Sequence, residues 1–103
     1  GDIPSDFHYQ DDDIVAFNDI DPKAPQHILI IPRRHITTLN DTDENDAALL
    51  GKMMHRATLL AKEIAIADAG YRVLMNCNKD GGQAVWHIHL HLLGGRPLTW
   101  PPG

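Results

Sequence analysis

The sequence predicts an α+β domain: an antiparallel sheet of about five strands with one long helix packed on one face. Three observations carry that expectation. Short β-rich runs separated by turn signals fill the first third of the chain, one helical apolar periodicity occupies the middle, and β-rich runs return after it. Its 103 residues suit one domain over 1–103, long enough to bury roughly two thirds of the unfolded surface and too short for a second core.

The first hairpin reads from Phe7 to Tyr9, turns through Asp11-Asp12-Asp13, and returns over Ile14 to Phe17. A loop from Asn18 to Gln26, punctuated by Pro22 and Pro25, leads to a third strand, His27 to Ile31, which Pro32 ends. From Asn40 the pattern changes. Asn40-Asp41-Thr42 with Glu44 signals a helix start, and apolar residues recur at Leu50, Met53, Met54, Ala57, Leu60, Ala61 and Ile64. Asp43 and Glu44 are expected in its first turn, at the positive end of the dipole, and Gly70 at its C-terminal stop. Gly51 inside it costs about 1 kcal/mol against alanine, which suggests close packing on the sheet. The last strands are expected over Arg72 to Asn76 and Val85 to Leu93, joined by a loop containing Gly81 and Gly82.

Composition narrows the function. With 9 Lys and Arg against 14 Asp and Glu, the charge of −5 disfavours long nucleic acids, whose affinity comes from neutralising phosphates; a single nucleotide stays open. No apolar run approaches the roughly 20 residues that span a bilayer, and the start lacks a basic segment followed by an apolar one. The lone Cys77 cannot close an intrachain disulfide. These features lead us to expect an intracellular, cytoplasmic protein with no membrane partner.

The compositional oddity is seven histidines, three of them in His87-Ile88-His89-Leu90-His91-Leu92-Leu93. On a strand, side chains alternate between faces, so the three imidazoles would share one face and Ile88, Leu90 and Leu92 the other, against the helix. Burying all three dry would leave several ring nitrogens unpaired at roughly 1–3 kcal/mol each. A solvated polar face is one reading of such a row. A zinc site is another, but the outer Cα atoms of five extended residues lie roughly 13 Å apart at about 3.3 Å per residue. Three ligands at about 2.0–2.1 Å from the ion would therefore converge poorly. At most two could bind, with His27 or an unplaced carboxylate, and no metal or other cofactor is expected. A phosphate fits better, because its atoms spread over several ångströms and different rings can meet them in different roles. An imidazole with its ordinary pKa near 6.5 is mostly neutral at pH 7 and can attack phosphorus while its neighbours donate hydrogen bonds. Backbone N–H groups of the Lys79-Asp80-Gly81-Gly82-Gln83 loop could approach the same anion.

The run HIHLHLL resembles the HxHxHxx signature of the histidine-triad (HIT) superfamily of nucleotide hydrolases and transferases. The segments FNDIDPKAPQHILIIPRRHI, DGGQAVW and LLGGRPLTWPPG look like its Hint branch, the purine nucleoside phosphoramidases, over nearly the whole chain. The resemblance implies hydrolysis of adenosine or guanosine phosphoramidates to the nucleoside monophosphate and an amine. His89 would attack the α-phosphorus to form a nucleotidyl-imidazole that water cleaves. His87 would orient it, His91 would contact the phosphate and the leaving amine, and His27 would buttress the triad. By the same resemblance Asp19 would hold the ribose hydroxyls, Phe17 and Ile20 would flank the base, Asn76 would lie near phosphate and ribose, and Gly82 and Gln83 would line the phosphate pocket. Read from the residues alone, Asp19 is a turn residue, Phe17 and Ile20 are core, and Asn76 is a strand-end hydrogen-bonder. The resemblance also implies a homodimer.

His8, His35 and His55 are expected to be structural or solvent-exposed, Arg33 and Arg34 to form an exposed basic turn, and Trp86 and Trp100 to pack or sit at a subunit interface. Two positions depart from the Hint pattern. Ala84 stands where many members carry Ser or Thr, and the chain opens at Gly1-Asp2-Ile3-Pro4, where a further segment would add apolar residues to the base pocket. Two other readings stay open: a dinucleoside polyphosphate hydrolase of the Fhit kind, and a nucleotide-binding or interaction module in which turnover is incidental.

Overall fold

The computed structural model describes residues 7–103; the opening Gly1-Asp2-Ile3-Pro4 lies outside them. Five strands form one antiparallel sheet, β1 (Phe7–Gln10), β2 (Ile14–Asn18), β3 (Gln26–Pro32), β4 (Tyr71–Leu74) and β5 (Leu90–Gly94), in the order β1-β2-β3-β5-β4. One helix, α1 (Ala47–Glu63), covers one face. This is the α+β architecture that the alternation of patterns predicts.

Register separates the two faces. Ile28, Ile30, Leu90 and Leu92 point with Ile14 and Ala16 toward Met53, Ala57, Leu60 and Ala61 of α1, forming the core. On the other face a row runs across all five strands, Phe7, Phe17, Leu29, His91 and Leu74, each opposite the next. His91 therefore stands between two leucines.

The helix is shorter than its periodicity suggests, for reasons that lie at each end. Asp43 and Glu44 are not in its first turn. Two 3₁₀ turns, Leu39–Asp41 and Glu44–Asp46, precede it, and the Asp46 carboxylate accepts from the Asp43 N–H at 3.0 Å. Gly70 is not its stop. The chain turns at Ala65, whose φ of 61° is left-handed, and the Ile66 N–H closes back on the Ala61 carbonyl at 2.9 Å. Ending there sends Ile66 into the core, against Gly94, where a Cβ would lie 2.5 Å from Ile66 Cδ1. Gly51, expected against the sheet, is exposed, and a Cβ there would touch nothing within 4 Å. No helix among the described residues is long and apolar enough to cross a membrane.

The last strand also differs from expectation. The ladder begins at Leu90, so His87 and His89 precede it, because the backbone bends at 85–87 and Ile88 N–H bonds the Ile36 carbonyl at 2.8 Å instead of a strand partner. The alternation survives the loss of the ladder. Ile88, Leu90 and Leu92 are buried while His87, His89 and His91 are only half-buried.

A candidate nucleotide and phosphoryl-transfer site on the open sheet face

A cavity of about 630 Å³ opens on the face away from α1. Its lining brings together all three histidines of the run with Phe17, Asp19, Ile20, Asn76 and Gly82. Ala84, singled out as a departure from the Hint pattern, lines it too, and Leu29, Ile31 and Val85, which the sequence reading does not single out, complete it. The alternation of β3 could have located Leu29 and Ile31, since they share a face with His27. Ile20 reaches the rim fully exposed to solvent, and Trp86 and Trp100 are exposed as well.

Gln83 does not line the cavity. It is buried, its amide donates to the carbonyls of Thr37 at 2.8 Å and Val85 at 3.1 Å, and its Oε1 accepts from the Asn78 N–H at 2.8 Å. It braces the glycine loop from behind. That loop doubles back so tightly that a Cβ on Gly81 would lie 2.5 Å from the Cys77 carbonyl oxygen. Gly82, the next residue, needs a positive φ of 79°. Gly81→Ala must open the backbone, so we expect a loss of about 1–3 kcal/mol, read as a lower urea midpoint, together with weaker substrate binding.

Hydrogen-bond partners assign the proton on each ring. His89 Nδ1 lies 2.8 Å from the His87 carbonyl, which can only accept, so Nδ1 carries the hydrogen and the lone pair falls on Nε2. His27 Nδ1 accepts from the Lys23 N–H at 3.0 Å, so its Nε2–H donates to His91 Nδ1 at 2.8 Å. His91 must then carry its own hydrogen on Nε2, which is buried and meets no acceptor among the described residues. His87 Nε2–H donates to the Pro32 carbonyl at 2.8 Å, leaving Nδ1 to accept from His35 Nδ1 at 2.9 Å. His35, read from the sequence as structural or exposed, is thus exposed and joined to the triad. Nothing local marks it, because its partner lies 52 residues away.

Electrostatics agree with neutral His27 and His91 rings. Burial, then the neighbouring rings of His89 and His27, push His91 down to about 4, and burial also lowers His27 against the opposing pull of Asp19. The Asp19 carboxylate sits 3.5 Å from His27 Nε2 and also accepts the Asp21 N–H at 2.8 Å. The stability consequence has a definite sign. The unfolded imidazole takes its proton near 6.5 and the folded His91 only near 4, so this contribution is complete above pH 6.5 and is lost as pH falls toward 4. Its size is of order 2 kcal/mol after allowing for partial solvent screening. Urea midpoints measured between pH 7 and pH 4.5 should fall less steeply in His91→Asn, whose amide oxygen accepts the same hydrogen bond without titrating.

Among the described residues, Asp19, His27 and His91 are those whose donor atoms cluster closely enough, within 4.8 Å, to be considered for a cation. The fit is poor. His27 Nε2 and His91 Nδ1 are 2.8 Å apart with a hydrogen between them, whereas two nitrogens on one tetrahedral zinc would stand about 3.3 Å apart. The arrangement suits a ligand rich in acceptors, with a bare imidazole nitrogen beside a ring N–H that has no partner.

The family model described as HIT domain matches residues 1–98. Over 96 residues, covering 93% of this chain and 81% of the relative, the sequence is 55% identical to the purine nucleoside phosphoramidase of Escherichia coli (strain K12). A HIT family hydrolase from Legionella pneumophila Philadelphia 1 superposes with a TM-score of 0.94 at 51% identity, covering 98% of this chain and 90% of that one. A histidine triad protein from Clostridium difficile gives 0.89 at 40% identity, with 94% and 84% covered.

Proposed function

Because this chain belongs to the HIT domain family, we propose that it hydrolyses purine nucleoside 5′-phosphoramidates, releasing the nucleoside monophosphate and an amine through a covalent nucleotidyl-histidine. The observation that carries the reading is the proton arrangement: a bare His89 Nε2 next to the unpartnered N–H of His91.

The chemistry follows from that arrangement. The His89 Nε2 lone pair attacks phosphorus, the N–P bond to the enzyme forms, and the P–N bond to the amine breaks as the amine takes a proton. His89 Nδ1–H stays on the His87 carbonyl, which steadies the positive charge developing on the ring. His91 Nε2–H donates to a phosphoryl oxygen as its negative charge grows, and backbone N–H groups near Gly82 add to it. Water then attacks phosphorus and gives up a proton to solvent as the enzyme's P–N bond breaks, restoring the lone pair and repaying the proton taken by the amine. The His27–His91 pair cannot serve as a net proton source. It ends at the Lys23 backbone amide, so a proton given up by His91 could not be replaced through His27. Its part is to stabilise the oxyanion, and the leaving amine draws its proton from solvent entering past Ala84. Phe17 and Ile20 flank the base, Asp19 accepts from the ribose hydroxyls, and Asn76 reaches between ribose and phosphate.

A homodimer completes the reading. Among the described residues β4 lies at the sheet edge with one side unpaired, and Met54 on α1 is half-exposed, two features that pairing of edge strands and helices would cover. Sedimentation should then report twice the 11.5 kDa chain mass. A reducing, cytoplasmic compartment is part of the same proposal and rests on the single cysteine. Incubation with adenosine 5′-phosphoramidate tests the activity: AMP and ammonia in equal amounts support it, while tight binding without AMP release would turn the reading toward a nucleotide-binding module.

A further inference from the structure

His89 is bracketed by two imidazole pairs. His27 and His91 lie on one side, with ring centroids 5.1 Å apart, and His35 and His87 on the other, at 4.9 Å. The first pair is built into β3 and β5. The second has no such support, because His87 and His89 lie ahead of the β5 ladder. Three hydrogen bonds hold His87 and Ile88, and all reach the short stretch from the last residue of β3, Pro32, to Ile36. Ile88 N–H donates to the Ile36 carbonyl, His87 Nε2–H to the Pro32 carbonyl, and His35 Nδ1–H to His87 Nδ1. The Thr37 hydroxyl lies 3.3 Å from His35 Nε2 and can donate to it, turning an exposed ring toward His87.

We propose that His35 is a positioning residue: by donating its ring N–H to His87 it holds the carbonyl that keeps the hydrogen of His89 on Nδ1 and the lone pair on Nε2. The inference rests on His89 being the nucleophile of the proposed reaction. The His87 ring has its Nε2–H on the carbonyl of buried Pro32, so its Nδ1 can only accept, and among the described residues His35 supplies the one side-chain donor it meets. Without that donor the His87 ring keeps only its Nε2–H bond to Pro32, the stretch is held by two bonds in place of three, the His87 carbonyl shifts, and His89 divides between two tautomers. Only one of these presents a lone pair at Nε2. Small displacements of a reacting group's support lower the rate with little effect on binding.

The test uses the full chain labelled with ¹⁵N in histidine. At pH 7 the wild-type protein should show a nitrogen–nitrogen coupling across the hydrogen bond between the Nδ1 atoms of His35 and His87, and a His89 signal dominated by the Nδ1–H form. In His35→Ala the coupling disappears, the His89 tautomers mix, and kcat for adenosine phosphoramidate falls about tenfold while KM changes less than about twofold. His35→Asn places an amide N–H near the position of the lost ring N–H and should recover kcat to within about threefold. His55→Asn, on the exposed side of α1, should match wild type. Absence of the coupling in the wild type, or an unchanged His89 tautomer and kcat in His35→Ala, overturns the proposal. Should the wild-type chain release no AMP at all, the reaction assignment fails, and the coupling and the His89 tautomer still decide the part played by His35.

Discussion

Replacing His89 with alanine should lower AMP release by at least about 10³-fold and leave the fold untouched. The rate loss follows from removing the group proposed to form the covalent bond, since a nucleophile contributes far more than a single hydrogen bond. The fold survives because His89 faces the cavity, while the core is supplied by its neighbours Ile88 and Leu90. Circular dichroism and the urea midpoint should match the wild type. Rapid acid quench of the wild type should trap one nucleotidyl adduct, visible in the intact mass and mapped to His89. An adduct on His87 or His91, or turnover by His89→Ala within tenfold of wild type, would refute the assignment.

His27→Leu should cost about 10²-fold in kcat, although His27 is absent from the cavity lining. The side chain is buried, and its Nε2–H fixes His91 in the form that presents an N–H to the phosphoryl group. Leucine fills similar space and donates nothing, so the His91 hydrogen can sit on either nitrogen and the oxyanion loses its donor for much of the time. His27→Gln carries an amide N–H close to the position of Nε2 and should restore kcat to within about tenfold of wild type. Steady-state kinetics of both variants check this, and a His27→Leu enzyme with normal kcat would show that His91 needs no partner. The loss is smaller than that of His89 because the nucleophile remains.

The parts of this site that were legible in the sequence are those governed by short-range periodicity. HIHLHLL announces one polar and one apolar side, and the structure keeps that division even where the ladder is missing. The extent of the last strand was not legible, because the bend at 85–87 depends on Ile88 finding Ile36, which lies far away in the chain. The same limit hides ring partners. His27 meets His91 across 64 residues and His35 meets His87 across 52; the family resemblance marks His27, but no periodicity does, and nothing sets His35 apart from His8 or His55. The end of the helix was misjudged for a different reason. Periodicity runs on through Ile64, but Ile66 gains more by folding back into the core than by extending an exposed turn, and an alanine accepts the left-handed conformation usually left to glycine. Gln83 shows how a loop residue next to a site can serve its scaffold alone.

Among the described residues, the cavity wall carries no lysine or arginine. It offers imidazole rings, the Asn76 amide, one carboxylate and apolar side chains on a molecule whose net charge is −5. An anionic nucleotide is therefore not drawn in from a distance and must be captured by hydrogen bonds at close range. Ionic strength should accordingly have little influence on turnover at low substrate, and moderate added salt should raise it slightly by shielding the mutual repulsion of enzyme and substrate.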